Sequence, residues 1–138
     1  MDECVFCAIE GGDAPGSLVY EDRSVFGVLT IEPVNTGHTL VIPRTHAPSV
    51  SDIDEATGAA LFQAAMRIAT GIRDSDVPCE GFNFWIADGV VAGQEVSHLH
   101  LHTVPRLKDD GFHVEANRTQ PTCAELDATA DEVRSTVD

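Results

Sequence analysis

Ser97-His98-Leu99-His100-Leu101-His102-Thr103-Val104 is the stretch on which the reading of this 138-residue chain turns. Side chains alternate across a β-strand, so His98, His100 and His102 project from one face and Leu99 and Leu101 from the other. One apolar face for a core and one imidazole face describe a strand covered by packing on one side. The strand is read as running from Val96 to Pro105.

Upstream, the same reasoning finds more strands than helices. Leu18–Tyr20 and Val25–Ile31 are short strands joined by the polar turn Glu21-Asp22-Arg23-Ser24. Pro33-Val34-Asn35-Thr36-Gly37 is a turn, and His38–Ile42, rich in β-branched residues, is a strand that stops at Pro43. Gly81–Ile86 is another, ending in the Asp88-Gly89 turn. The one long helical signal starts near Asp52, where Asp52 and Glu55 have capping-box spacing. Leu61, Ala64 or Ala65, Ile68 and Ile72 recur at helical spacing after it, and Pro78 ends it. About five strands in nearly consecutive order with one long helix predict an α+β domain: an antiparallel sheet with the helix on one face. A Rossmann arrangement is excluded, because repeated strand–helix alternation and a Gly-rich first turn are both missing. Residues 1–110 form the domain, with 111–138 as a tail or short helix (from about Cys123 to Val133) of the same unit.

The chain length fits one domain, and its 43% hydrophobic content supports a core without disulfides. No run of 18 apolar residues exists, which excludes a helical membrane span. The acidic start Met1-Asp2-Glu3-Cys4 lacks signal-peptide order, so a cytoplasmic location is expected. Eight basic against 23 acidic residues give a formal net charge of -15, which argues against a broad grip on nucleic acid polymers or anionic membranes. Lys108 is the one lysine, a composition that suits either a salt-adapted or an ordinary acidic protein. Cys4 and Cys7 have the spacing of a metal knuckle or a redox pair. Cys79 and Cys123 lack partners at metal spacing and are read as buried free thiols.

Three imidazoles on one face are costly unless they are used. A metal centre, a structural cluster and a phosphate site are the alternatives. Residues i to i+4 of an extended strand span about 13 Å, so one ion reaches all three rings only where the strand bends. The phosphate reading is favoured, since neutral imidazole attacks phosphorus and neighbouring rings donate to its oxygens. Gly93-Gln94-Glu95-Val96 leads into the strand, and its backbone N–H groups can cradle a phosphate. A plain turn glycine explains Gly93 equally well.

His98-Leu99-His100-Leu101-His102-Thr103-Val104, within the wider stretch Gly93–Arg106, resembles the motif of the histidine triad (HIT) family. Gly37-His38-Thr39-Leu40-Val41-Ile42-Pro43-Arg44-Thr45-His46 is similar to that family's other signature block, and Cys4-Val5-Phe6-Cys7 with Val19-Tyr20-Glu21-Asp22 matches its bacterial and archaeal members. The resemblance spans roughly Cys4 to Arg106. It implies a homodimer whose two sheets join, and a purine nucleotide substrate attacked at its α-phosphorus. The substrate classes implied are nucleoside 5'-phosphoramidates and dinucleoside polyphosphates. His100 would be the nucleophile, with His38 and His102 around the α-phosphate. His98 would shape the back of the site and accept from His100 Nδ1 through its carbonyl. Phe6 and Ile31 are candidates for an apolar slot against the purine, with Thr30, Asn83, Gly93, Gln94, Glu95 and Val96 as further substrate contacts.

The same resemblance implies a structural Zn2+ held by Cys4, Cys7, His46 and His98, a mixed tetrahedron typical of closed sites. That assignment leaves His100 free. Two positions depart from the family pattern. Thr30 stands where many members carry the Asp that holds the ribose hydroxyls, and Ala87 where they carry an Asn. The histidines are intact, so the chemistry is expected to survive, and nucleotide preference and rate are where the departures bear. A low-activity nucleotide-binding or partner-binding protein is the alternative. Phe26, Phe62, Phe82, Phe84 and Trp85 are read as core or dimer packing, Arg106 as a salt-bridge partner, and His113 as a surface residue.

Overall fold

A computed structural model describes residues 4–137. Strands β1 (Leu18–Glu21), β2 (Val25–Leu29), β3 (Thr39–Pro43), β4 (Gly81–Ile86) and β5 (Leu101–Arg106) form one sheet in the order β1-β2-β3-β5-β4. Every neighbouring pair is antiparallel. The predicted α+β architecture is the one observed.

The alternation of β2 shows how the sheet serves two cores. Val25 packs with Val41, Leu99 and Leu101 against Leu61, Ala64, Ala65 and Ile68 of helix α2 (Glu55–Arg73). Phe26 and Val28 face the other way, with Leu40 and Ile42, and meet Phe6 of helix α1 (Val5–Glu10). Burying one such side chain stabilises the fold by roughly 1.5–3 kcal/mol, so both faces are held firmly. At Gly27 a Cβ would lie 2.9 Å from Ile68 Cδ1, so a larger residue where α2 crosses β2 would require the end of the Ile68 side chain to shift.

Several boundaries differ from the sequence reading. The last strand begins at Leu101, not Val96: β4 ends at Ile86, which pairs with Leu101, and β3, though it runs on to Pro43, pairs with β5 only as far as Val41 opposite Leu101. The chain before it is held by the Leu99 N–H donating to the Ala47 carbonyl at 2.7 Å and by His98 Nε2 bonded to the Pro43 carbonyl of β3 at 2.8 Å. The alternation nevertheless persists, since Leu99 and Leu101 share the α2 core. Asp52 does not cap the long helix. It closes a capping box with Ser49 on the 3-10 turn Val50–Asp52, and Asp54 caps α2 by accepting from Thr57 N–H. Strand β2 ends at Leu29 rather than Ile31. Helix α1 was not anticipated, as six residues are too few to show a period. Helix α3 (Cys123–Arg134) forms with a Thr122 cap, and Cys123 at its start is exposed rather than buried.

Candidate active site and metal centre

The six-residue helix α1 with its cap, the loop after β3 and the chain before β5 bring Cys4, Cys7, His46 and His98 together, with one ligand atom from each within 4.8 Å of the others. Cys4 Sγ lies 3.3 Å and Cys7 Sγ 3.6 Å from His98 Nδ1, and Cys7 Sγ lies 3.4 Å from His46 Nδ1. Tetrahedral zinc with sulfur at about 2.3 Å and nitrogen at about 2.0 Å sets ligand–ligand edges of roughly 3.3–3.8 Å, and these three sulfur–nitrogen distances fall in that range. His98 is fully buried, and its Nε2 donates to the Pro43 carbonyl at 2.8 Å. A carbonyl only accepts, so the neutral ring carries its proton on Nε2 and offers the Nδ1 lone pair to the sulfurs. This is the outer hydrogen bond by which metal-ligating histidines are usually fixed. The cluster is capable of coordinating a metal ion. Burial and the neighbouring Cys4 thiol push the Cys7 thiol above its ordinary value, so a cation is what would favour the thiolate there.

The same accounting fixes the other rings. His100 Nδ1 donates to the His98 carbonyl at 2.8 Å, which leaves its Nε2 with a lone pair. Burial holds His100 below its ordinary value, so the unprotonated ring is the resting form. Phe6 seats the ring from the side, edge-on with centroids 5.0 Å apart. His38 accepts the Val34 N–H at Nδ1 over 3.1 Å, so its own proton sits on Nε2 and points at His102 Nδ1, 2.9 Å away. His102 in turn keeps its proton on Nε2. Burial, then the charges of His100 and His38, lower His102 to about 4. The rings of His100 and His102 are 4.9 Å apart between centroids. The result is one lone pair on His100 beside one N–H on His102, the pairing needed to attack a phosphorus and to donate to its oxygens.

The structure uses the remaining candidates in varied ways. Ile31 is 95% exposed in the turn after β2, and Thr30 Oγ1 accepts the Glu32 N–H at 3.2 Å. Gly93 adopts the left-handed conformation (φ 95°) that closes the 3-10 turn Val90–Ala92, the role of a turn glycine. Gln94 braces that loop, accepting from Gly89 N–H at 2.8 Å and donating to the Pro48 carbonyl at 2.7 Å. Val96 packs on the α1 core, and the Glu95 charge favours protonation of His100. Asn83 Oδ1 accepts from Arg106 Nη1 at 2.6 Å. Arg106 also pairs with Asp110 at 2.7 Å, as the salt-bridge reading expects. What sequence reasoning missed is Trp85. Its ring stacks on His102, with centroids 5.1 Å apart and planes 26° from parallel. The register that pairs these two residues across β4 and β5 was the missing signal.

The HIT domain model matches residues 12–109. The Bacillus subtilis protein hit is 44% identical over 112 residues, 80% of this chain and 77% of that protein. A crystal structure of a HIT family member from Bacillus subtilis superposes with a TM-score of 0.91 at 35% identity, covering 99% of both chains. A crystal structure of a Zn-bound histidine triad family protein from Mycobacterium smegmatis is 40% identical, with a TM-score of 0.75 and 97% of both chains covered. With its fold, its clustered histidines and a cysteine–histidine set fit for a metal, the chain belongs to the HIT domain family of enzymes.

Proposed function

We propose that this protein is a nucleotide hydrolase or nucleotidyl transferase that acts at the α-phosphate of a purine nucleotide through a nucleotidyl–His100 intermediate. A nucleoside 5'-phosphoramidate or a dinucleoside polyphosphate is the substrate. The observation that carries the reading is the bond from His100 Nδ1 to the His98 carbonyl, which leaves an unprotonated Nε2 on a buried ring.

His100 Nε2 attacks the α-phosphorus in line as the bond to the leaving amine or phosphate breaks. His102 Nε2–H donates to a non-bridging oxygen as charge builds, and His38 fixes His102 in that tautomer. Water then attacks the same phosphorus, the phosphorus–nitrogen bond breaks, and the nucleoside monophosphate leaves with the His100 lone pair restored. A phosphoramidate nitrogen leaves as the amine, its proton supplied by the substrate's own ammonium form or by a neighbouring histidine N–H. Ile31 and Thr30, in the turn joining β2 to β3, meet the nucleoside, and Gly93 to Val96 border the phosphate.

Zn2+ on Cys4, Cys7, His46 and His98 is structural in this reading: it ties α1 to the chain entering β5 and takes no part in the chemical step. A homodimer follows from the same reading. The open edge of β4 offers Phe84, with exposed Phe62 and Met66 of α2 beside it. No described helix is long and apolar enough to cross a membrane.

The test is intact-mass analysis of a reaction with adenosine 5'-phosphoramidate, and separately with diadenosine tetraphosphate, quenched in the first turnovers. An adenylyl adduct on the native chain that is absent from His100→Ala is expected. Nucleotide binding without adduct or turnover would instead assign the low-activity binding role.

A further inference from the structure

Trp85 is the centre of a three-ring stack. It stacks on His102 and also on Phe112, the latter with centroids 5.6 Å apart and planes 11° from parallel. Phe112 is itself fixed from behind. The Arg106 guanidinium lies over its ring at 4.9 Å, its backbone N–H donates to Asp110 Oδ1 at 3.1 Å, and its carbonyl accepts from Arg106. The Arg106–Asp110 pair is bidentate, at 2.7 and 2.8 Å, and the Asp110 side chain is only 4% exposed. Fork-to-carboxylate pairs of this kind hold geometry as well as charge.

Asp110 also serves the other histidine. Asn35 donates to Asp110 Oδ2 at 2.8 Å and to the Pro105 carbonyl at 2.9 Å. The Asn35 carbonyl accepts the His38 N–H at 3.1 Å. One carboxylate therefore ties together the turn that carries His38 and the residue that backs the stack on His102.

We propose that Trp85, stacked on both Phe112 and His102, is a positioning residue that holds the His102 ring with Nδ1 toward His38 and its Nε2–H free for substrate. The inference deepens the reading of His102 as the donor to the α-phosphate and rests on it for its kinetic consequence. A ring on a strand rotates about two side-chain torsions. The His38 bond fixes one atom of the His102 ring, and the flat indole face fixes its plane, so the two together leave a single orientation. Misplacing a catalytic group by an ångström typically costs about 100-fold in rate, which gives the stack a measurable effect. Trp85 is the one tryptophan in the chain, so its emission reports the stack directly.

The test compares Trp85→Phe, which keeps a flat ring, with Trp85→Leu, which keeps bulk without one. Two readouts are used on the full chain: turnover of adenosine 5'-phosphoramidate, and nitrogen-15 NMR of the histidine rings. Trp85→Leu is expected to lower kcat by roughly 10- to 100-fold with KM within about 3-fold. The His102 resonances of that variant should move from a single Nε2–H tautomer to a mixture, and Trp85→Phe should restore both readouts. Phe112→Leu, which leaves the sheet untouched, is expected to act in the same direction with a smaller effect and a shifted Trp85 emission. It decides the matter if Trp85→Leu does not fold. Should the native chain turn over no nucleotide, the functional reading fails, and the NMR arm alone judges the positioning role. A single unchanged His102 tautomer in the folded variants overturns the proposal, as does an equal fall in kcat for Trp85→Phe and Trp85→Leu.

Discussion

His38 Nε2 donates to His102 Nδ1 across 2.9 Å, and both rings are neutral because burial lowers their proton affinity. This couples stability to pH in a defined direction. His102 titrates near 4 in the folded chain against 6.5 when exposed, so between those values the unfolded chain binds the extra proton. Stability is full above about pH 6.5 and is lost as pH falls toward 4.

Urea midpoints measured between pH 7 and 4.5 are therefore expected to fall in the native chain. His102→Gln, which still accepts from His38, should remove on the order of 2 kcal/mol of that fall. Asp22, Asp54 and Asp110 are held below the ordinary carboxylate value, so their contribution is lost only at lower pH. An unchanged slope in His102→Gln would show that this ring is not buried neutral.

The cysteine–histidine cluster predicts about one zinc per purified chain, measured by elemental analysis, and its loss in Cys4→Ser. Removing one ligand from a closed tetrahedral site weakens the metal strongly, and metal binding is folding free energy. Melting is expected to drop by at least ~5 °C in Cys4→Ser, and equally in the chelated native protein. If the ion performed the chemistry, adduct formation on His100 would vanish with it; a structural ion predicts that the adduct persists wherever the fold does.

Thr103 points into the α2 side of the sheet, fully buried, and among the described residues its Oγ1 is the buried side-chain polar atom without a hydrogen-bond partner. Thr103→Val keeps the shape and removes the stranded hydroxyl, so it should raise stability by about 1 kcal/mol. Chemical denaturation checks this, and a loss of stability would mean that the hydroxyl is satisfied by water.

Much of this was legible in the sequence because the signals were periodic. The alternation of Leu99 and Leu101 with the histidines set the imidazole face, and the 3.6-residue spacing from Leu61 to Ile72 set α2. The misses were of other kinds. Helix α1 is shorter than any period. Asp52 and Asp54 compete for one cap, and the choice falls to Ser49, whose backbone N–H donates to the Asp52 carboxylate at 3.1 Å and holds it in the 3-10 turn. The Trp85–His102 stack and the Asp110 hub depend on strand register and on a turn past β5, neither of which hydrophobic pattern encodes. The metal set was reachable only through resemblance, since Cys4 and His98 are 94 residues apart in the chain.

The departure at Thr30 bears on nucleoside selectivity. Thr30 stands next to the site, its backbone N–H donating to the His38 carbonyl at 3.1 Å, while its hydroxyl is already engaged with the Glu32 N–H. A hydroxyl held in its own turn gives a ribose little, whereas a carboxylate accepts charge-assisted bonds from ribose hydroxyls. The native chain should therefore separate adenosine from 2'-deoxyadenosine 5'-phosphoramidate by no more than about 3-fold in kcat/KM. Thr30→Asp should widen the ratio to about 10-fold, the equivalent of ~1.4 kcal/mol, chiefly by lowering KM for the ribonucleotide. The His100 adduct should form in both chains, because the substitution touches recognition and leaves the nucleophile alone. An unchanged ratio would place the ribose away from Thr30 and move the nucleoside to another wall of the site.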